Sequence, residues 1–499
     1  MPVRNLQKSS QTRLFMIEDR ANPGNRPSYQ SLGRLLGLSW AQGDITPIRV
    51  PDPAQYGKFV TVDQIKGQQG LPTISVENRL TRDLSALLDL VRKGCALDLQ
   101  AHAGVCEDPR DFNGGWEKVY VFEGAQPTSY DTAELGALDA DQDTPINETV
   151  PFTGQDWYEL KRLVGSEIGA AEIVQEVVDL IVCDSRQCGE CGVPSNGCEK
   201  IFGVTLSAGG SPGLPAEVIY SADAGATFGE TNVSTLAANE DPTGLACSGV
   251  YLVVISNDSE SLHYALLADV LAGTETWVEV TTGFVAAKGP NAIFSQGQTF
   301  NWMVGDGGYI YFSDDISAGV EVQSAGGQTV QNLNAISGID EFNLVAVGDS
   351  NAVLFTNDGG QTWGSVTGPA PGINLNAVAV KSDLTWMVGT ADGNMYYTQN
   401  GGASWAQKAF SGQGSGQVED IVFATPTVGY MSHSTATAGR IFRTIDGGFS
   451  WYILPEQAGL TLPANDKINA LAACSENPNL VFGGGLGDNA VDGIMLKVS

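Results

Sequence analysis

The sequence predicts a mainly β protein in two parts. The first is a β-sandwich or barrel with one helix. The second is a β-propeller, with seven blades favoured and six as the alternative. Three observations carry this. A short turn motif recurs at a near-constant interval through the C-terminal part. Apolar strands and glycine turns alternate between its copies. The first two hundred residues lack the motif and follow a different pattern.

The motif reads hydroxyl, any residue, Asp, any residue, Gly, any residue, hydroxyl, aromatic. Ser221-Asp223-Gly225-Thr227-Phe228, Thr356-Asp358-Gly360-Thr362-Trp363 and Thr444-Asp446-Gly448-Ser450-Trp451 fit it. Thr398-Asn400-Gly402-Ser404-Trp405 fits with Asn for Asp, and degenerate copies end at Trp277 and at Ser313-Asp315-Gly319. Phe228 to Trp277 is 49 residues, Trp363 to Trp405 is 42, Trp405 to Trp451 is 46, and Trp277 to Trp363 is 86, or two units. Self-similarity at this period marks stacked or radial repeats. The Asp or Asn side chain can accept from backbone N–H groups ahead of it, and Gly supplies the positive φ of a tight turn. Asp223, Asp358, Asn400 and Asp446 therefore read as structural turn residues, and Trp363, Trp405 and Trp451 as aromatics packed on a neighbouring unit. Strand–turn–strand runs such as "MVGDGGYIYFS" and "AVGDSNAVLFT" precede the turns. Each unit is thus three or four short antiparallel strands, the make-up of a propeller blade. A last unit, "INALAAC…GIMLKVS", has no such turn, and strands from both ends of the region are expected to close the ring.

These turns resemble the Asp-box (BNR) repeats of sialidases and sortilin-type propellers. The phrasing "VGD…FTNDGGQTW" is most similar to propellers of photosystem II stability and assembly factors. The resemblance covers residues 201–499 and implies the fold, because the box is a structural turn in that family. A sialidase would need three arginines to clamp a carboxylate bidentately. Residues 201–499 hold only Arg440 and Arg443, so that activity is not expected. A glycosidase of another class, which needs only a carboxylate pair among the 28 acidic residues, is the least expected alternative, and the reading is of no enzyme.

The N-terminal part holds "TRDLSALLDLVRKG" (81–94), which has the apolar spacing of one helix. "ALDLQAHAG", "KVYVFEG", "INETVPFTGQDWYEL" and "VVDLIVCD" read as strands. "DRANPGNRPSYQ" has the composition of an extended arm. The resulting division is an arm at 1–40, a β domain at 41–185, a Cys-rich junction at 186–200 and the propeller at 201–499. The order of helix and strands, with the run "SYDTAELGALDADQDTPINETVPFTG", resembles the tail tube (major tail) proteins of long-tailed bacteriophages over residues 40–185. That resemblance implies a virion structural protein whose homo-oligomeric rings, commonly hexameric, stack into a tube with other tail proteins. DNA would pass only as cargo. The alternatives are a capsid decoration or baseplate protein, and a propeller that grips host glycans or surface proteins.

Charge agrees with a protein that does not hold nucleic acid. The chain carries 57 acidic and 26 basic residues, a net charge of −31, and phosphate contacts need Lys and Arg. No stretch approaches 18 apolar residues, so no membrane span is expected. No signal peptide is visible, so synthesis in a host cytoplasm is expected.

Cys183, Cys188, Cys191 and Cys198 cluster with spacing C-x4-C-x2-C-x6-C. Four thiolates would suit structural zinc, the one cofactor suggested. Disulfides and free thiols stay open. Cys95 and Cys106 are a second candidate pair, with His102 between them. Residues 139–150 begin like a calcium loop at Asp139, Asp141 and Asp143, but Thr144 and Val150 replace the required Gly and Glu.

Overall fold

The structure is a computed structural model. In residues 1–162 it describes the strands named below, the short strands Arg4–Asn5, Arg49–Pro51, Phe59–Thr61 and Asp131–Thr132, and residues 154 and 161. Beyond them it describes residues 163, 165–169, 173, 175–183, 198–207, 215–410, 413–435, 439–454, 466–487 and 493–499. The chain divides into two compact units, Met1–Lys161 and Arg162–Ser499.

In the first unit, antiparallel strands run in the order Trp116–Pro127, Leu97–Gly104, Arg13–Asp19, Gln30–Ala41, Thr73–Arg79 and Asn147–Thr153. The last pairs back onto the first through Phe152–Pro127 and Thr153–Gln126, so the sheet closes on itself as a barrel. Closure removes the free edges of an open sheet. Gln30–Ala41 makes it feasible, because one half pairs with Arg13–Asp19 and the other with Thr73–Arg79. Leu99, Ala101, Val119, Val121 and Phe152 are buried core residues. Asp156–Leu160 adds to the outer edge of Trp116–Pro127. The expected helix at 81–94, Cys95, Cys106 and the calcium-like Asp139, Asp141 and Asp143 lie outside the described residues.

Among its described residues the second unit holds seven four-stranded antiparallel sheets. Their first strands are Val177–Cys183, Pro242–Ser248, Pro290–Gln296, Leu333–Gly338, Leu375–Val380, Gln417–Phe423 and Lys467–Ala473. Each packs beside the next, and the seventh packs beside the first, so the sheets are blades I to VII of a closed propeller. Second strands such as Leu344–Gly348 and Val481–Leu486 are apolar and buried almost throughout because they are covered on both faces, whereas inner strands such as Pro290–Gln296 mix apolar and polar residues. Outer strands alternate, as in Gly364–Thr367. Between blades IV and V, Val345, Val347, Val353, Leu375, Trp386 and Val388 form one shared core.

The unit begins earlier than composition suggests. Gly165–Glu167 pairs with Gly493–Val498 and becomes the outermost strand of blade VII. Val177–Cys183 is the innermost strand of blade I. The strand "VVDLIVCD" therefore belongs to the propeller, not to the N-terminal β domain. The Cys-rich stretch is the connection between the first two strands of blade I, not a junction between domains. Its unusual composition falls between two strands of one blade, whereas the boundary between the units lies after Lys161.

This placement predicts how truncation behaves. A chain beginning at Arg162 melts cooperatively. One beginning at Ile201 lacks the outer strand of blade VII and the inner strand of blade I, and does not. Circular dichroism melting of the two fragments distinguishes these outcomes.

Candidate functional site

The Asp boxes join the third strand of a blade to its outer strand. In each full copy the hydroxyl of the first residue donates to the Asp or Asn, at 2.8 Å for Ser221, Thr356 and Thr444 and 2.9 Å for Thr398. The same hydroxyl accepts the N–H of the box glycine at 2.9–3.0 Å. The carboxylate of Asp358 then accepts the Thr362 N–H at 2.9 Å and the Thr362 hydroxyl at 2.6 Å. Asp223 repeats this with Thr227. Its carboxyl is held down to about 2, first by the Thr227 hydroxyl and then by the Thr227 N–H. Gly360 and Gly402 have φ of 82° and 81°, and a Cβ on either would strike the preceding blade at Gln323 or Val366. The aromatic seals the same contact. Trp363 Nε1 donates to Gln323 Oε1 of blade III at 3.4 Å, and Trp405 Nε1 to the Thr367 carbonyl of blade IV at 2.9 Å. Trp451 is buried but donates within its own turn, to the Gly448 carbonyl. The degenerate copies differ in kind: helix Leu267–Ala272 replaces the box before Trp277, and Asp315 holds only Ser317.

A second repeated device was missed in the sequence. The innermost strand of every blade carries a β-bulge at one equivalent place, and the residue in or after it reaches the next blade. Asp179 Oδ2 accepts the Leu245 N–H at 2.8 Å, and Thr243 donates to the Pro290 carbonyl at 2.7 Å. Asn291 donates to the Leu333 carbonyl at 3.0 Å, Asn334 to the Leu375 carbonyl at 3.2 Å, and Asn376 to Gln417 Oε1 at 3.1 Å. Asp420 Oδ2 accepts the Leu471 N–H at 2.8 Å. Asn469 closes the circle onto the Val177 carbonyl at 3.3 Å and Glu176 at 2.7 Å. Seven polar side chains thus form a belt, one across each seam. The signal was legible: "PNAI", "LNAI", "LNAV" and "INAL" place Asn before Ala in four of the seven strands.

Two belt members are acids. Burial pushes Asp179 up to about 7, with the bond from Leu245 opposing and the charge of Asp420 adding. Burial pushes Asp420 to about 6 against the bonds from Leu471 and Ile421. Glu419 is raised by burial too, eased by Lys467 and reinforced by Asp420 and Glu176.

The cysteines do not form the expected set. Cys198 is bonded to Cys474, so it is not available as a fourth zinc ligand beside Cys183, Cys188 and Cys191. Cys188, Cys191 and the side chain of Cys183 lie outside the described residues. The bond joins the start of blade I's second strand to the end of blade VII's first, across the seam that Gly165–Glu167 also bridges. A partner 276 residues away gives no local sequence signal. Among the described residues no group of three or more His, Cys, Asp and Glu is arranged to hold a metal, and no helix is long and apolar enough to cross a membrane.

Ser261 Oγ lies 2.8 Å from His263 Nε2, and Thr235 Oγ1 lies 2.7 Å from Nδ1. A serine beside an imidazole is the start of a nucleophilic device. Here both residues are wholly buried, burial holds the imidazole down to about 4, and no substrate can reach the hydroxyl. The network is a satisfied polar core. Arg440 and Arg443 share strand Gly439–Thr444, and Arg443 is buried, so no three-arginine clamp exists in the described propeller.

With this geometry in view, comparison with known proteins agrees on the fold. The family described as photosynthesis system II assembly factor YCF48 matches residues 328–464, which span blades IV to VI. The chain is similar to YCF48 from Cyanidioschyzon merolae, with 14% identity, 67% of this chain and 98% of that chain covered, and a TM-score of 0.50. It is similar to the virginiamycin B lyase from Staphylococcus aureus, with 11% identity, 68% and 99% covered, and a TM-score of 0.50. A structure of YCF48 bound to D1 peptide has 13% identity, 68% and 95% covered, and a TM-score of 0.48. No curated protein matches the chain in sequence. At these identities the likeness shows a propeller with BNR-type repeats and nothing of activity.

Two predictions concern these devices. Asp358→Ala removes the acceptor for Thr362 and the partner of Thr356, and costs about 0.5–2 kcal/mol by analogy with lost helix caps. Asp446→Ala acts in the same direction, by less, because one oxygen of buried Asp446 has no hydrogen-bond partner among the described residues. Melting temperatures of both variants check this; unchanged values contradict it. The belt acids set a pH dependence. Their folded pKa values lie above the ordinary carboxylate value, so the folded state binds more protons, and the stability they contribute falls as pH rises from about 4 through about 7. The box acid Asp223 responds in the opposite sense and at lower pH, between about 4 and 2, and Asp358 is lowered in the same direction by Thr362. The difference in melting temperature between pH 5 and pH 8 therefore shrinks in Asp179→Asn and Asp420→Asn, whatever their absolute stability.

Proposed function

We propose that the chain is a structural protein of a bacteriophage particle, in which the N-terminal unit polymerises as a tail tube and the propeller is displayed without catalysing a reaction. The observation that supports this reading is the self-sufficiency of the propeller. Its ring is closed by its own strand Gly165–Glu167 and by the Cys198–Cys474 bond, so its sheets need no partner to satisfy them. Residues 162–499 hold 35 acidic and 10 basic residues, a charge of −25, and like-charged propellers resist close mutual packing. Self-association then falls to residues 1–161, whose strand order includes the stretches that resemble tube proteins. Assembly into hexameric rings, contact with other tail proteins, passage of DNA, and a virion location after synthesis in the host cytoplasm all follow from that resemblance. Neither zinc nor another cofactor has a part in this reading.

The purified full chain, and residues 1–161 alone, are expected to form rings or tubes in negative-stain micrographs, while residues 162–499 stay monomeric. Monomeric 1–161 with self-associating 162–499 would reverse the roles. Labelling the protein in an assembled particle separates the tail reading from the head decoration and baseplate readings.

A further inference from the structure

A pocket of about 440 Å³ opens at the seam of blades IV and V, on the face that carries the Asp boxes. Its walls are two box turns and two hairpin connections. They are tied together, since the Gly359 N–H donates to the Phe342 carbonyl at 3.1 Å and the Gly401 N–H to the Leu384 carbonyl at 2.9 Å. Phe355 and Trp386 form its base, with ring centroids 5.7 Å apart and planes at 36°, and Val380 and Leu384 flank them. Trp386 is buried, so Phe355 is the ring that meets solvent.

The rim is polar and uncommitted. Asn357 and Asp383 are exposed, and neither side chain makes a hydrogen bond among the described residues. The Asn343 amide nitrogen is held by Asp340, which leaves its oxygen free to accept. Asn357 is also peculiar to this box, since Ala222, Gln399 and Ile445 stand at its position in the other three.

We propose that this pocket binds a short, uncharged saccharide. An aromatic face beside amide and carboxylate groups matches a sugar ring, which presents C–H faces on one side and hydroxyls at its edge. The volume lies within the range of small-molecule sites. No lysine or arginine lines the pocket and Asp383 is negative, which disfavours a phosphate, a sulfate or an acidic sugar. One carboxylate is too few for a metal. An extended peptide would look for an open strand edge. The strands that line the pocket are the first three of their blades, and the second and third of these are paired on both sides. The inference stands apart from the assembly reading, because the whole site lies within one propeller.

The test is saturation-transfer difference NMR on the full chain with maltose, lactose and diacetylchitobiose. At least one is expected to bind saturably, with its ring protons receiving the transfer. The double variant Asn357→Ala/Asp383→Ala removes two hydrogen-bonding groups and is expected to weaken binding about tenfold. Gln399→Ala, at the equivalent place in the next box, is expected to leave it unchanged. Failure of all three sugars overturns the proposal. So does binding that survives the double variant, or equal competition by N-acetylneuraminic acid.

Discussion

A propeller must hold seven sheets around an axis although, among the described residues, no strand ladder runs from one blade into the next. Apolar packing supplies most of the attraction, but it is non-directional and does not fix how each blade is set against its neighbour. The bulge in each innermost strand answers this. An extra residue at a fixed place turns a polar side chain toward the following blade, where it finds a carbonyl, an amide oxygen or an N–H. Near the crowded axis a lost partner leaves a desolvated polar group, so the belt penalises misplaced blades more than it rewards correct ones.

Ring closure depends on this belt and concentrates its vulnerability at one seam. Six seams join blades that follow each other in the chain. The seventh joins the last blade to the first, and there the chain adds two further links: the outer strand Gly165–Glu167 and the Cys198–Cys474 bond. A cross-link spanning 276 residues restricts the unfolded chain strongly. The Asp boxes act farther out, locking the outer strands and pressing an aromatic onto the preceding blade.

Much of this was legible in the sequence, and for physical reasons. The box spacing gave the blades because a turn of fixed geometry needs the same hydroxyl, acid and glycine each time. Seven blades followed from counting turns and adding one unit without a box. The Asn-Ala repeats that mark the belt were equally visible, but a lone polar residue in an apolar strand reads as noise until its partner is known. The first strand of blade I reads as part of the N-terminal domain because Val177–Cys183 is apolar apart from Asp179, and nothing in it distinguishes a barrel from a blade. Gly165–Glu167 is too short to announce a strand. The pairing of Cys198 with Cys474 and the elevated acids Asp179 and Asp420 depend on contacts between distant segments, which no local pattern contains. The pocket beside Phe355 arises where two blades meet, so its residues are scattered from Asn343 to Gly401.

The central claim is that the ring is weakest at the seam between blades VII and I and is held there by the chain's own devices. Native-state hydrogen exchange on the Cys198→Ser/Cys474→Ser variant tests it most directly. Protection is expected to fall first in Val177–Cys183, Lys467–Ala473 and Gly493–Val498, while Leu344–Gly348 and Trp386–Thr390 in blades IV and V keep theirs. An equal loss in all seven blades, or no loss at the seam, would contradict the account.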